Sequence, residues 1–386
     1  MPARKTSRPG RIAILTGGGD CPGLNAVIRG VARTAQNVHG WETWGVRNGV
    51  EGFLMPRGEG LWKLEREDVS GILTRGGTIL GASNKCDIFA VPRKNGPPKD
   101  ESPRVKKLLD QKGIHALIVV GGDGTHRMAA RLLQQGVNVV GVPKTIDNDI
   151  RGTDRTFGFD TAVGVVGDAI DRLYTTAESH HRVMLLEVMG RDAGWIALHG
   201  GLSGGVEAIL LPEIPYCPDR LADKVQRRRE QGMPFSIVVV AEGAKRADGE
   251  QVFRQGGDGD HLIDRLGGVS YQVAAELQAR TDLEVRNVVL GHLQRGGTPS
   301  PLDRTLGSLM GRRAVELIAE RRFGQMVSVK GMTLTSVPIE RVARGIKRVP
   351  PNGPLVNAAR QLGITFAAAD GSDDPYAKAR RKHGAP

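Results

Sequence analysis

The sequence predicts an α/β fold, and three features carry that prediction. Short apolar runs of strand length recur, at 11–16, 114–120, 137–142, 183–188 and 235–241. Stretches of helical periodicity separate them, so the order strand, turn, helix repeats along the chain. The turns after the strands are rich in glycine and polar residues, and in open α/β sheets ligands bind at these carboxyl ends. With 386 residues, 39% of them hydrophobic, the chain can build one large or two medium α/β domains.

Composition narrows the function. Glycine is abundant at 53 residues and aromatics are scarce at 4%, as expected of many tight turns between short elements. No apolar stretch is long enough to span a bilayer. The first residues are basic (Arg4, Lys5, Arg8, Arg11) without an apolar segment, so no signal peptide is expected. Cys21, Cys86 and Cys217 are widely spaced and form neither a disulfide framework nor a zinc pattern. A cytoplasmic protein is expected. The formal net charge of +12 is partly terminal, with Lys378, Arg380, Arg381 and Lys382 outweighing Asp370, Asp373 and Asp374. The body is still basic. No helix-turn-helix, zinc-finger or aromatic-basic pattern accompanies this charge. Small phosphorylated ligands are therefore expected as partners, with no nucleic acid and no membrane.

The first strand, 11–16, runs into Gly17-Gly18-Gly19-Asp20 and then a helix over 26–37. Strand, glycine turn and helix form a phosphate-binding arrangement, in which free N–H groups and the positive end of the helix dipole face the anion. The turn lacks the Gly-Lys-Ser/Thr of a P-loop and the spacing of a dinucleotide fingerprint. A second strand at 43–46 and a short helix at 68–73 follow. The small-residue loop 75–85 ends in Lys85, either a phosphate or adenine contact or an exposed surface lysine. After a polar loop at 92–104 comes a helix over 104–112. The buried strand 114–120 ends in Gly121-Gly122-Asp123-Gly124-Thr125, with a helix over 126–135. Here a phosphate chain can lie against the backbone, and Asp123 can hold Mg²⁺, which binds through one or two carboxylates plus substrate phosphates. NAD kinases and lipid kinases carry a similar motif.

The next strand, 137–142, leads to the densest polar cluster: Lys144, Thr145, Asp147, Asn148 and Asp149. A carboxylate that accepts a proton, and a second that biases a metal site, suit group transfer to an alcohol. The bland alternative is a polar turn. Further on, a helix at 162–176 precedes His180-His181-Arg182 and the strand 183–188, which ends in Met189-Gly190-Arg191. A helix from Trp195, a strand near 206–211, a helix over 219–231 and a strand at 235–241 ending in Glu242 suggest a second α/β layer. Residues 246–261 read as an exposed excursion. A strand over 286–290 ends in Gly291-His292-Leu293-Gln294-Arg295-Gly296-Gly297, and a helix covers 303–322. The tails 1–10 and 368–386 are expected to be disordered. Arg182, Arg191, Arg286, His292 and Arg295 all fall in or beside strand-terminal loops. Together they suggest a phosphate pocket, because the guanidinium fork matches phosphate geometry.

Five motifs carry a resemblance to a known family: Gly-Gly-Asp-Cys-Pro-Gly-Leu-Asn (18–25), Gly-Gly-Asp-Gly-Thr (121–125), Pro-Lys-Thr-Ile-Asp-Asn-Asp (143–149), Met-Gly-Arg (189–191) and Gly-His-Leu-Gln-Arg-Gly-Gly (291–297). In this order they resemble the 6-phosphofructokinases, from about residue 11 to about residue 345. The resemblance implies two Rossmann-like α/β domains with mainly parallel sheets and an active site in the cleft between them. A donor-binding domain is expected over 11–158 and 295–345, and a fructose 6-phosphate domain over 159–294 and 346–366. The implied activity is that of a phosphotransferase with an alcohol acceptor. It moves a phosphoryl group from ATP, with Mg²⁺, to the C1 hydroxyl of fructose 6-phosphate.

Carried over by motif, Asp147 is the implied proton acceptor, with Thr145 on the transferring phosphoryl group and Arg191 stabilising its charge. Asp123 is the implied Mg²⁺ ligand, and Asp149 influences the metal. Gly18, Lys85, Cys86, Gly122, Asp123, Gly124 and Thr125 are the implied donor site. Thr145, Ile146, Asp147, Met189, Gly190, Arg191, Glu242, His292, Leu293, Gln294 and Arg295 are the implied sugar-phosphate contacts. Arg182 and Arg286 are implied to come from a neighbouring subunit of a homodimer or homotetramer.

Two departures stand out. The commonest bacterial ATP enzymes of the family have Gly where this chain has Lys144. Pyrophosphate-using relatives have Lys there, usually with Asp in place of Gly124. The chain thus resembles the family's mixed-substrate group, with donor choice resting on Gly124 and Lys144. The implied effector site is also incomplete: Arg29 and Arg33 match, but Tyr174 and Gln231-Gly232-Met233 do not. A pyrophosphate-dependent enzyme and a non-catalytic sugar-phosphate or nucleotide sensor are the competing readings.

Overall fold

A computed structural model describes residues 10–83, 86–248 and 268–373 of the chain. It is a mixed α/β protein, and its described residues divide into two compact units, 10–161 with 295–346, and 162–294 with 347–373. Among the described residues no helix is long and apolar enough to cross a membrane.

The first unit is built on β1 (Arg11–Thr16), α1 (Leu24–His39), β2 (Glu42–Val46), β3 (Leu61–Leu64), α2 (Ser102–Lys112), β4 (Ala116–Gly121), α3 (Asp123–Gln134) and β5 (Val139–Pro143). The second begins within α4 (Phe159–His180). It continues through β6 (Val183–Val188), α5 (Trp195–Gly204), β7 (Ala208–Leu210), α6 (Pro218–Glu230), β8 (Ser236–Ala241), α7 (Val269–Gln278) and β9 (Val285–Val289). The chain then returns to the first unit with α8 (Pro301–Ala319), the hairpin β10 (Gln325–Lys330) and β11 (Thr333–Pro338), and the short α9 (Ile339–Val342). The last helix, α10 (Pro354–Gln361), belongs to the second unit.

In the first unit the strand order is β11-β10-β5-β4-β1-β2-β3. The pairings are parallel except β2 with β3 and β10 with β11. All six residues of β4 are buried, as a central parallel strand covered on both faces requires. Thr16 pairs with Val120, and Gly121 with Pro143, so β1, β4 and β5 end along one edge and deliver their following turns together. Helices α1 and α8 cross closely. A Cβ at Gly30 would come to 2.5 Å from the Ser308 carbonyl oxygen, and one at Gly311 to 2.5 Å from that of Val27. Part of the high glycine content thus serves helix packing.

The second unit has an all-parallel sheet, ordered β7-β8-β6-β9. Val188 pairs with Ala241 and Glu187 with Val289, so Met189, Glu242 and Leu290 leave the same edge.

Several expectations change. Residues 68–73 form turns, not a helix: Asp68 Oδ2 accepts the Glu65 N–H at 2.8 Å, and Gly71 takes φ +71° and ends the turn. The chain from Ala368 to Asp373 is structured. Asp373 accepts from Thr365 Oγ1, Phe366 N and Ala368 N, each at 2.8 Å, and pairs with the buried Arg360 at 3.0 Å. The other tail residues, 1–9 and 374–386, lie outside the described residues, as do Lys85 and 249–261 of the expected excursion. The fold also contains β3, α7, α10 and the β10–β11 hairpin, beyond the elements expected. That hairpin carries a two-residue Gly331-Met332 turn with Gly331 at φ +57°, and a short turn of this kind between strands is a hairpin signature.

Candidate active site

The first unit places three turns side by side at the carboxyl ends of β1, β4 and β5. In the first, Gly17 N donates to Val120 O at 2.9 Å and Gly18 N to Ser83 O at 3.2 Å. Gly18 adopts φ +76°, a left-handed conformation open to glycine without strain. Two cations flank this turn. The buried Lys144 donates its Nζ to Gly19 O, and Arg295 Nη1 reaches Asp20 O at 3.3 Å. Burial pulls the Lys144 pKa down. The second turn opens α3 at Asp123, so the free N–H groups of a helix N-terminus follow Gly122. His126 buttresses it through Nδ1 on Gly122 O at 2.9 Å, and burial lowers its pKa to about 4. The imidazole is neutral at pH 7.

These two turns open into a pocket of about 530 Å³. Gly17, Gly18, Gly124 and Thr125 line one part, and Cys86, Phe89 and Arg131 another. The Arg131 guanidinium stacks 3.5 Å from the Phe89 ring centroid. A Cβ on Gly124 would meet nothing nearer than Arg127 Nη2 at 3.8 Å, so this position is open. Burial, and then Glu51 and Asp87, push the Cys86 thiol pKa up, which keeps the thiol un-ionised.

The third turn holds the acidic cluster. Asp147 N donates to Thr145 Oγ1 at 3.0 Å, and that hydroxyl lies 3.4 Å from Asp147 Oδ2. Asn148 takes φ +49°, which Asn tolerates, and its side chain accepts the Thr156 N–H at 3.1 Å. Thr156 Oγ1 returns a bond to Thr145 O at 2.8 Å. The backbone of this turn is therefore fixed by Asn148 and Thr156. Ile146 is fully buried, so only its backbone can meet a ligand.

Burial raises the Asp149 pKa to about 6, with repulsion from Asp147 and Asp123 adding to it. Three carboxylates thus share one electrostatic neighbourhood. Among the described residues no group of three or more His, Cys, Asp or Glu could hold a metal unaided. Asp123 pairs with Arg127 through Oδ2, while its Oδ1 is buried without a partner. One orphaned carboxylate oxygen beside a phosphate cradle fits Mg²⁺, which takes most other ligands from phosphates and water.

Asp149 also makes a stability prediction. Its folded pKa lies above the unfolded value, so its favourable contribution is complete below about pH 4 and is lost as pH rises through about 6. Asp149→Asn should therefore stabilise the ligand-free protein more at pH 8 than at pH 5, by about 1–1.5 kcal/mol. Urea unfolding in EDTA at both pH values measures this. An equal effect at the two would mean that Asp149 is not raised.

In the second unit the Met189–Gly190–Arg191 loop leaves β6 under restraint. The buried Gln294 accepts the Met189 N–H at 2.7 Å, Glu242 Oε1 the Gly190 N–H at 3.4 Å, and Gly190 O the Gly243 N–H at 3.2 Å. Gln294 thus acts on Met189 in this structure, while His292 and Leu293 are exposed. The Arg191 side chain is 59% exposed, and its Nε lies 3.9 Å from Asp192 Oδ2.

Arg182 and Arg286 do not join this loop. They lie at the amino-terminal ends of β6 and β9, where both bind Glu284, Arg182 through Nε at 2.8 Å. The strand length between Arg182 and Met189 is roughly 23 Å at 3.3 Å per residue. Tyr174, which departs from the effector pattern that the resemblance implies, packs edge-on against Phe235 with centroids 5.0 Å apart.

A family model described as phosphofructokinase matches residues 11–318. The chain belongs to the phosphofructokinase family. It is 49% identical over 362 residues to an ATP-dependent 6-phosphofructokinase of Chloroflexus aurantiacus, a match covering 93% of this chain and 98% of the relative. It is 48% identical over 343 residues to a pyrophosphate–fructose 6-phosphate 1-phosphotransferase of Amycolatopsis methanolica, covering 88% and 96%. Among solved structures, a Pichia pastoris phosphofructokinase superposes with a TM-score of 0.75 at 29% identity, over 89% of this chain and 36% of that longer one. The family therefore contains close relatives named for each donor, and identity alone does not separate them.

Proposed function

We propose that the chain is an ATP-dependent 6-phosphofructokinase, a transferase that makes fructose 1,6-bisphosphate from fructose 6-phosphate in glycolysis. The observation that carries this reading is the Thr145–Asp147–Asp149 turn, which lies beside the N-terminus of α3 along one sheet edge. There a donor phosphate chain, held by backbone N–H groups, meets a carboxylate that can take a hydroxyl proton. The first unit is the donor-binding one in this reading, and the second binds the sugar phosphate.

Asp147 accepts the C1 hydroxyl proton as the oxygen attacks the terminal phosphoryl group, and Thr145 Oγ1 orients that group. Arg191 neutralises the charge spread over the equatorial oxygens, since phosphoryl transfer depends chiefly on positioning and electrostatics. Asp123 would hold Mg²⁺, which supplies charge neutralisation to the donor phosphates. Glu242, His292 and the backbone of Met189 and Gly190 bind the sugar phosphate. The sensor reading has no use for Asp147 and Arg191, which are both present. The pyrophosphate reading rests on the resemblance at Lys144, whose cation can serve either donor.

A coupled assay for fructose 1,6-bisphosphate, with fructose 6-phosphate and either ATP or pyrophosphate, tests the reading. Absence of turnover with both donors would remove it.

Assembly into a homo-oligomer with shared sites is part of the proposal. Arg182 and Arg286 sit together at the sheet edge opposite Met189, a position suited to serving another subunit's phosphate site. Arg286→Ala is expected to raise KM for fructose 6-phosphate far more than for the donor. Mixed oligomers of Arg286→Ala and Asp147→Ser chains should regain activity that neither parent has. Verified mixed oligomers without any recovery would sink the shared site.

A further inference from the structure

Among the described residues, Arg191 has little of its own to hold it. Its side chain is mostly exposed, and the Asp192 carboxylate is 3.9 Å away. Its position is therefore set by the backbone between β6 and α5. The upstream end is held by Gln294, Glu242 and Gly243, as described above. The downstream end is held by a residue with no part in the phosphofructokinase motifs. Glu213 accepts the Gly194 N–H with both carboxylate oxygens, at 3.1 and 3.2 Å, and with Oε1 the Val349 N–H at 2.8 Å. Gly194 is the N-cap of α5.

A side chain at Gly194 would require its neighbours to shift. A Cβ at Gly194 would lie 2.6 Å from Leu211 Cδ2 and 3.0 Å from Glu213 Oε2. The segment on the far side of Glu213 is fixed as well, because Trp195 Nε1 donates to Lys347 O at 2.9 Å and the Lys347 ammonium lies 5.5 Å from the Trp195 ring centroid. Charge-assisted bonds from a carboxylate to backbone N–H groups are stronger than neutral ones. Glu213 thus ties the first turn of α5 to residues 347–349 and leaves three residues, 191–193, between its grip and Gly190.

We propose that Glu213 is a positioning residue for Arg191, fixing the downstream end of the Arg191 loop so that the guanidinium meets the transferring phosphoryl group. The proposal rests on the role given to Arg191 under the proposed function. A misplacement of about 1 Å at such a group costs up to roughly 10²-fold in rate.

Glu213→Gln keeps the shape but offers one carbonyl oxygen and turns an NH₂ toward the Gly194 or Val349 N–H. With saturating ATP and fructose 6-phosphate, kcat is expected to fall by about 10–100-fold, while KM for ATP stays within about threefold. The same change made on an Arg191→Ala background should lower kcat further by less than about threefold, because the group it positions is gone. Glu213→Asp retains the charge with a shorter reach, and it replaces Glu213→Gln if circular dichroism shows that the latter does not fold. Its loss should likewise vanish on the Arg191→Ala background. Wild-type kcat in a folded variant, or equal losses on both backgrounds, overturns the positioning role and leaves the proposed function intact. A wild-type chain inactive with both donors overturns the function and the role of Arg191 together.

Discussion

Asp147→Ser is expected to lower kcat by roughly 10²–10⁴-fold, the usual cost of losing a general base. The serine hydroxyl cannot take the proton that leaves the C1 oxygen, and the negative charge that orients this hydroxyl is lost with the carboxylate. The fold should survive. The backbone of this turn is held by the Asp147 N–H on Thr145 Oγ1, by Asn148 on Thr156 N and by Thr156 Oγ1 on Thr145 O, and none of these uses the Asp147 carboxylate. KM for fructose 6-phosphate should change little, because its phosphate is bound elsewhere in the proposed site. Initial-rate kinetics with a thermal-unfolding control distinguish a lost base from a lost fold. A folded Asp147→Ser enzyme within tenfold of wild type would mean that another group accepts the proton.

The second large effect concerns the donor. The wild-type enzyme is expected to show a much higher kcat/KM with ATP than with pyrophosphate, and Gly124→Asp should abolish ATP use. Gly124 lines the pocket of about 530 Å³ that continues from the phosphate turns to Phe89 and Arg131. Pyrophosphate has no need of this further space, whereas an α-phosphate and adenosine do. Because a Cβ at Gly124 meets nothing within 3.8 Å, aspartate is accommodated without unfolding the site. Its carboxylate would then stand against the α-phosphate, and like charges brought together in an interface cost several kcal/mol. Lys144 does not oppose this assignment. Its ammonium is buried and donates to Gly19 O, so it braces the first phosphate turn, a service useful to either donor. Both donors should be compared at saturating fructose 6-phosphate, in wild type and Gly124→Asp. A wild-type preference for pyrophosphate would overturn the assignment and make Lys144 the deciding residue.

The sequence by itself determined the α/β class, most strands and helices, and the chemistry of the turns. It could do so because a phosphate cradle is a local object. A buried strand, a glycine turn and a helix start are contiguous in Arg11–Thr16 with Gly17–Asp20, and again in Ala116–Gly121 with Asp123. The Lys144–Asp149 cluster is equally local. What only the tertiary structure decided is which of these residues act together. Arg182 and Arg191 flank the same strand, yet they lie at its opposite ends, and register with β9 puts Arg286 beside Arg182. Lys144 is a cation in a polar turn by sequence; in the fold, burial and the Gly19 carbonyl direct its charge inward. Gln294 reads as a ligand contact within its motif but grips Met189 across 105 positions of chain. Glu213 carries no motif at all. Its importance comes from backbone N–H groups at Gly194 and Val349, and every residue but proline has an N–H to offer, so nothing in their side chains could announce the contact.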